Sequence, residues 1–184
     1  NGETLGAFVP VLQGVATPGA DRDHGSGTFT IDFDAEDQLF HGPLYVKDDF
    51  GQLTITYDNT QTVSVAAVFT SAQNDDPADP HMMNAAYAFE DAASGGQLQV
   101  AFENTDTTEV VSLRTRWSAG GAGRSDAHYT GPDGAGGTVD YFASECWAGH
   151  AQDFAEVYDS KQDPVEWPQR ADESACSPFS TESY

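Results

Sequence analysis

The feature that most constrains this chain is an alternation of apolar and polar residues with a period of two, which recurs between residues 28 and 147. In the run TFTIDF at 28–33, Phe29, Ile31 and Phe33 alternate with polar residues. Successive side chains of a β-strand point to opposite faces, whereas a helix needs apolar residues three and four positions apart, which these runs lack. The alternation therefore predicts strands with one buried and one wet face, typical of antiparallel sheets. Seven further runs share the pattern: 52–57, 62–69, 84–89, 97–102, 109–117, 124–129 and 138–147.

The segments between these runs are short and rich in Gly, Asn and Asp, at 58–61, 91–96, 104–107, 118–123 and 131–137. These residue types adopt the backbone conformations that hairpin turns require. Regularly spaced strands joined by such turns indicate an all-β fold. We expect an antiparallel meander-type sandwich or a curled sheet of about eight strands.

The two ends of the chain differ from this pattern. Residues 1–24 predict an extended N-terminal arm, and residues 25–184 a single β domain with a C-terminal tail. Gly14, Pro18 and Gly19 predict a flexible stretch between the arm and the first clear strand. The segment 153–158 fits either a helix face or a strand. An isolated apolar strand must pair with a sheet edge, its own or that of a neighbouring copy. The candidate assembly residues of the arm are Leu5, Phe8, Val9, Val11 and Leu12.

The charge of the chain excludes two classes of partner. Its 30 acidic and 7 basic residues give a formal charge of −23, and Lys47 and Lys161 are the two lysines. Nucleic acid and anionic membranes need basic patches, so neither is expected as a partner. The charge fits either a soluble secreted protein or adaptation to high salt. We expect no transmembrane segment, because no apolar run approaches the ~20 residues that span a bilayer.

The two cysteines, Cys146 and Cys176, are separated by 30 positions. Cys146 with His150 would supply two metal ligands, but nothing in the chain completes a CxxC-type zinc site. A catalytic thiol needs a base and an orienting partner, and no family signature supports one. An even cysteine count in an acidic, lysine-poor chain instead predicts an exported protein with a Cys146–Cys176 disulfide, which would pin the tail to the last strand.

Three of the five arginines lie close together in the sequence. Arg114 and Arg116 share one strand face, and Arg124, Asp126 and His128 share a face of the next strand. One interpretation is a site for anions or carboxylates. The other, which we favour in so acidic a chain, is a ladder of ion pairs on a wet face, worth tenths of a kcal/mol per pair.

Other clusters suggest metals less specifically. Asp21 and Asp23, and Asp32 and Asp34, are spaced carboxylates of the kind that calcium prefers, although Gly25 departs from the EF-hand pattern. The segment 74–84, with His81 beside two methionines, fits a metal site or, more simply, a turn. Because 30 acidic residues form such clusters by chance, we expect no cofactor, and calcium is the single candidate.

Catalytic motifs are missing from the sequence. It has no G-x-S-x-G, HExxH, P-loop or G-x-G-x-x-G motif. A carboxylate pair for glycoside hydrolysis stays open, because its geometry is invisible in a sequence. We therefore lean towards a protein that is not an enzyme.

The C-terminal half resembles a known group of proteins. LRTRWSAGGAGRSDAHYTG, YFASECW, FAEVYD and a late cysteine, within residues 113–176, resemble exported proteins of myxobacteria and their relatives, which carry a TRW…GAGR…SECW pattern and are often predicted lipoproteins. The resemblance implies a secreted or cell-surface location and is compatible with the cysteine pair. It names no activity. The present chain has no cysteine at its first position and so departs from the lipoprotein form.

Three functions are compatible with these features. The first is a non-enzymatic exported structural or assembly protein, such as a subunit of an extracellular filament or surface layer built by donation of the N-terminal strand. The second is a ligand- or glycan-binding module that uses exposed aromatic rings. The third is an enzyme with a carboxylate site. An exposed aromatic row would favour the second, and two close carboxylates in a cleft the third.

Overall fold

The computed structural model describes residues 8–37, 39, 50–73, 82–149, 155–160 and 171–181, and these residues form one antiparallel sheet. The described sheet has ten strands in meander order, each paired with the next along the chain. It is open, with β1 and β10 at its edges. Its strands are β1 (Leu12–Pro18), β2 (Gly25–Asp32), β3 (Gln52–Asp58), β4 (Val63–Gln73), β5 (Met82–Ala92), β6 (Gly95–Asn104), β7 (Val110–Ser118), β8 (Gly123–Pro132), β9 (Thr138–Ala148) and β10 (Ala155–Asp159).

Two short helices accompany the sheet. Helix α1 (Phe33–Asp37) follows β2 directly. A 3₁₀ helix (Glu173–Cys176) lies in the C-terminal segment, by which we mean residues 171–181. Asp32 caps α1, because its Oδ1 accepts a hydrogen bond of 2.8 Å from the backbone N–H of Ala35. No described helix is long and apolar enough to cross a membrane.

The eight alternating runs coincide with β2 to β9, apart from single residues at the ends of three runs, so the all-β antiparallel meander is confirmed. The predicted strand number and the sandwich alternative are wrong, since ten strands form one layer in the described part of the chain. The two further strands are β1 and β10, at the edges. Gly14 and Pro18 lie inside β1, where the sequence predicted a flexible stretch. A Cβ on Gly14 would come within 2.6 Å of the Phe29 Cβ, so a glycine is required where β1 pairs with Phe29.

The pairing register divides the sheet into two faces, which we call polar and apolar. The polar face has threonine pairs on β2 and β3, where Thr28 meets Thr56 and Thr30 meets Thr54, each with hydroxyl oxygens 3.0 Å apart. The apolar face carries the large side chains of the alternating runs, and none of them is buried. Its main members are Phe29, Ile31, Leu53, Ile55, Tyr57, Val65, Phe69, Tyr87, Phe89, Leu98, Val100, Phe102, Val111, Leu113, Trp117, Tyr129, Tyr141 and Trp147.

The buried apolar cluster of the described residues is small and lies at one end of the sheet. Cys146, Tyr158 and Cys176 are buried together, and Val157 packs against them. This cluster forms where the C-terminal segment meets β9 and β10. The centre of the sheet therefore has no covering layer among the described residues.

Candidate functional site

The C-terminal segment, residues 171–181, lies across the polar face where β7 to β10 run side by side. The Sγ atoms of Cys146 and Cys176 are 1.94 Å apart, at disulfide distance, which ties the segment to β9. A second contact is polar, because Arg116 donates a hydrogen bond of 2.6 Å to the backbone carbonyl of Ser180. The Arg116 guanidinium also lies 5.8 Å from the centre of the Phe179 ring. The segment is thus held at several points along its length.

Beneath this segment lies a cluster of four charged groups. Arg116 and Arg124 face each other across β7 and β8. The carboxylate of Asp126 accepts hydrogen bonds from both, at 2.9 Å from Arg116 and 2.8 Å from Arg124. Arg124 also donates to Glu173 of the segment at 2.7 Å. Two like charges that face each other repel, and Asp126 and Glu173 offset that repulsion.

Burial makes this cluster unusual for so exposed a sheet. Arg124 is 1% exposed and Asp126 is 2% exposed. Ser144 donates a hydrogen bond of 2.6 Å to Asp126, and Arg124 donates one of 3.0 Å to the hydroxyl of Thr181. These contacts supply the hydrogen bonds that a charge needs when it leaves water.

The pKa values follow from these contacts. Burial by itself lowers the pKa of Arg124, but the hydrogen bonds to Asp126 and Glu173 outweigh it, so the pKa lies above its ordinary value. The pKa of Glu173 is lowered by a hydrogen bond from the Thr181 hydroxyl and by Arg124. Both groups are therefore charged at neutral pH.

The sequence predicted an arginine cluster on a wet face, and the location of Arg124 corrects that expectation. The ion pairs exist, but the C-terminal segment covers Arg124 and Asp126. Arg116 and Arg124 pair with carboxylates of the chain itself, so these arginines hold the chain's own segment in place of an external anion. No pattern in the sequence indicated Glu173 or Thr181. The cysteine pairing was the available signal, because it brings residues near Cys176 to β8 and β9.

A threonine, a histidine and an aspartate meet at the far end of β8 and β9. His128 Nε2 lies 3.1 Å from the Thr130 hydroxyl and 3.2 Å from Asp140 Oδ1, while Thr130 donates to Asp140 at 2.6 Å. A nucleophilic triad needs the hydroxyl on one ring nitrogen and the carboxylate on the other. Here the same nitrogen faces both groups, so this arrangement does not activate the hydroxyl.

Three described grooves of the polar face were candidates for the carboxylate pair of a glycosidase, and none of them contains such a pair. Three adjoining grooves cross β3 to β7, and alanines, valines and polar side chains line most of their surface. Glu90 lines one groove and Glu103 another, so none of the three brings two carboxylates together.

The calcium candidates lie at opposite ends of β2. Asp21 and Asp23 are in the turn before β2, and Asp32 and Asp34 follow its other end, roughly 23 Å away at ~3.3 Å per residue. Asp21 Oδ1 lies 2.5 Å from His24 Nδ1, and Asp32 Oδ2 accepts 2.9 Å from Gln52. Among the described residues, no three His, Cys, Asp or Glu side chains form a metal-binding group.

The arm residues have different surroundings. Leu5 lies outside the described residues, as do His150 and the segment 74–81. Phe8 is 90% exposed, and Val9 and Val11 are partly exposed. Leu12 belongs to β1 and pairs with Ile31 of its own chain.

No known protein family, curated protein or solved structure matches this chain. Its own geometry therefore carries the functional argument.

Proposed function

We propose that this chain is a non-enzymatic exported structural protein that assembles with further copies of itself, as a subunit of an extracellular filament or surface layer. The observation that carries the proposal is the apolar face, which no described residue covers. A sheet with one apolar face normally buries it against a second layer, and large exposed apolar patches mark interaction surfaces. Within the described residues, the segment 171–181 covers part of the opposite face.

The width of the apolar face favours a protein partner. From β2 to β9 there are seven strand spacings of about 4.8 Å, which makes the face about 34 Å wide. A small ligand would cover a fraction of that width. A second sheet packed at about 10 Å would cover all of it, as in a β-sandwich formed by two chains. Another copy of this chain is a sheet of matching width.

The cysteine pair supports the exported part of the proposal. Disulfides persist in oxidising compartments outside the cytosol. Cys146 and Cys176 are 1% and 3% exposed, which is expected of a structural disulfide that reductants reach poorly.

The test is to measure the molar mass in solution by light scattering over a wide range of protein concentration. The matched variants are Phe102→Glu on the apolar face and Val68→Glu on the polar face, which alter side chains that are 42% and 43% exposed. We expect the mass of the native protein to rise with concentration. Phe102→Glu should raise the apparent Kd by about tenfold or more, because an unpaired carboxylate buried at the interface costs at least ~1.4 kcal/mol.

Val68→Glu should associate like the native protein. Circular dichroism of both variants controls for loss of the fold. A native protein that is monomeric at every concentration would contradict the proposal, as would equal effects of the two substitutions.

A second candidate function, glycan binding, has one observation in its favour. Tyr129 and Tyr141 stack with ring centres 6.1 Å apart on the apolar face, and Tyr141 is 56% exposed. Sugar rings pack on such aromatic faces. The same experiment separates the two functions, because a glycan-binding module stays monomeric and its mass does not respond to Phe102→Glu.

A further inference from the structure

β1 is an exposed edge of the sheet. It is the first strand in the sheet order, and all seven of its residues, Leu12–Pro18, are exposed. Along its inner side it pairs with β2 without a shift in register. A strand at a sheet edge presents a row of backbone donors and acceptors on its outer side, which is a template for pairing with another chain.

The flanking hydrogen bonds identify which backbone groups of β1 face outwards. Asp32 donates to the carbonyl of Val11 at 2.9 Å, and Gly19 donates to the carbonyl of His24 at 2.8 Å. Hydrogen-bonded and non-hydrogen-bonded pairs alternate along an antiparallel ladder. Odd-numbered residues from Val11 to Gly19 therefore bond to β2, and the backbone groups of even-numbered residues point away from the sheet.

Two prolines bound the free edge: Pro18 is the outward-facing last residue of β1, and Pro10 stands just before Val11. Pro10 and Pro18 have no N–H, and a proline in a sheet sits where its missing donor would face solvent. Between them, Leu12, Gly14 and Ala16 each present one N–H and one C=O. The free edge of β1 therefore offers three outward-facing residues, each with one hydrogen-bond donor and one acceptor.

Between Pro10 and Pro18, β1 lacks the other features that protect natural edge strands from pairing. Such strands carry charged residues, bulges or a covering segment. β1 carries no charged residue, although the chain has a formal charge of −23. By contrast β10, at the other edge, has five residues and a register shift between Glu156 and Tyr158, and the C-terminal segment packs against it.

We propose that two copies of this chain pair antiparallel along β1, with Gly14 opposite Gly14 of the second copy. This inference rests on the proposed self-assembly and names one of its interfaces. The Leu12–Ala16, Gly14–Gly14 and Ala16–Leu12 pairs would exchange about six hydrogen bonds, two for each pair. The contact is isologous, so it closes as a two-fold dimer with one continuous sheet.

The charge distribution also favours a second copy as the occupant of this edge. A partner with charged residues opposite β1 would find no counter-charge on this strand. A second β1 brings two uncharged strands together, so no carboxylate belongs to the row of paired residues. A head-to-tail filament would instead need the outer edge of β10 as its acceptor, and that edge is short, shifted in register and partly covered.

The experiment replaces Ala16 with proline. Ala16→Pro removes an outward N–H and places the ring in the path of the second copy, while the bonds of β1 to β2 come from odd-numbered residues. Ala16→Val is the matched control, because it enlarges the side chain and keeps the N–H. Both changes are made in the Phe102→Glu background, where stacking of apolar faces is suppressed. Sedimentation velocity gives the mass, and circular dichroism checks the fold.

We expect Phe102→Glu and Phe102→Glu/Ala16→Val to be dimers and Phe102→Glu/Ala16→Pro to be a monomer, with an apparent Kd raised by about a hundredfold or more. If the proline variant does not fold, Leu12→Pro, which removes the next outward N–H, replaces it. A monomeric Phe102→Glu variant beside an oligomeric native protein would overturn the β1 interface and leave the proposed assembly standing. Dimers that persist in the Ala16→Pro and Leu12→Pro variants would also overturn the β1 interface. A native protein that is monomeric would overturn both the proposed self-assembly and the β1 interface.

Discussion

At the scale of single residues, Asp126 is expected to have a large effect on stability, because it is a buried charge with several charged partners. It lies between two arginines that face each other, and it accepts hydrogen bonds from both and from Ser144. Removing one partner from a buried ion pair leaves the other charge without compensation, which costs about 3–5 kcal/mol. Asp126→Asn keeps the size of the side chain and removes its charge.

We therefore expect Asp126→Asn to lower the free energy of unfolding by about 3 kcal/mol or more. Asp140→Asn is the control, because Asp140 also contacts a hydroxyl and a histidine but is exposed. That change should cost much less than Asp126→Asn, because solvent screens an exposed carboxylate. Urea denaturation followed by tryptophan fluorescence measures both variants. Equal costs would show that the Arg116–Asp126–Arg124 cluster contributes no more than an exposed pair.

The sequence predicted which of these residues share a face, and it did not predict which become buried. Alternation places Arg114, Arg116, Arg124, Asp126 and His128 on the polar face, and the register agrees. Burial of Arg124 depends on the segment 171–181, which begins 47 positions later in the chain. No local pattern encodes the position of an irregular segment. The sequence therefore predicted a ladder of solvent-exposed ion pairs at these residues.

At the scale of secondary-structure elements, the period of two identified the interior strands, and the two edge strands were harder to recognise. β1 contains Gly14 and Pro18, which usually mark turns, but an edge strand tolerates a proline whose missing N–H faces outwards. β10 is five residues long, too short for a periodic pattern to separate strand from helix. Each edge strand thus differs from the interior pattern for a physical reason.

The attachment of the C-terminal segment gives an element-scale prediction. A disulfide that spans 30 positions should stabilise the fold by about 3–4 kcal/mol in the chain-entropy model. Cys176→Ser should lower the free energy of unfolding by that amount and leave the strands in place. Amide hydrogen exchange should become faster in residues 171–181 and stay slow in β4 to β7.

The control for this prediction is the double variant Cys146→Ser/Cys176→Ser, which leaves no free thiol to form mixed disulfides. It should behave like the single variant. Mass measurement before and after reduction and alkylation tests the pairing directly. Two thiols that alkylate in the native protein without reductant would refute the disulfide.

At the scale of the whole molecule, the single sheet layer of the described residues and a strong negative charge have opposing effects on assembly. The uncovered apolar face favours association, because burial of apolar area contributes about 25 cal/mol per Å². The formal charge of −23 on each copy opposes it. Which effect dominates depends on ionic strength, since the Debye length falls from about 10 Å at 0.1 M salt to about 3 Å at 1 M.

We therefore expect self-association to strengthen as sodium chloride rises from about 0.1 M to about 1 M. Screening weakens the repulsion between the copies, and it has little effect on the apolar contacts or on the uncharged β1 edge. Light scattering at a fixed protein concentration should show the molar mass increasing with salt. Association that weakened as salt rose would mean that ion pairs between copies hold the assembly, and it would contradict both the apolar face and the β1 edge as its principal contacts.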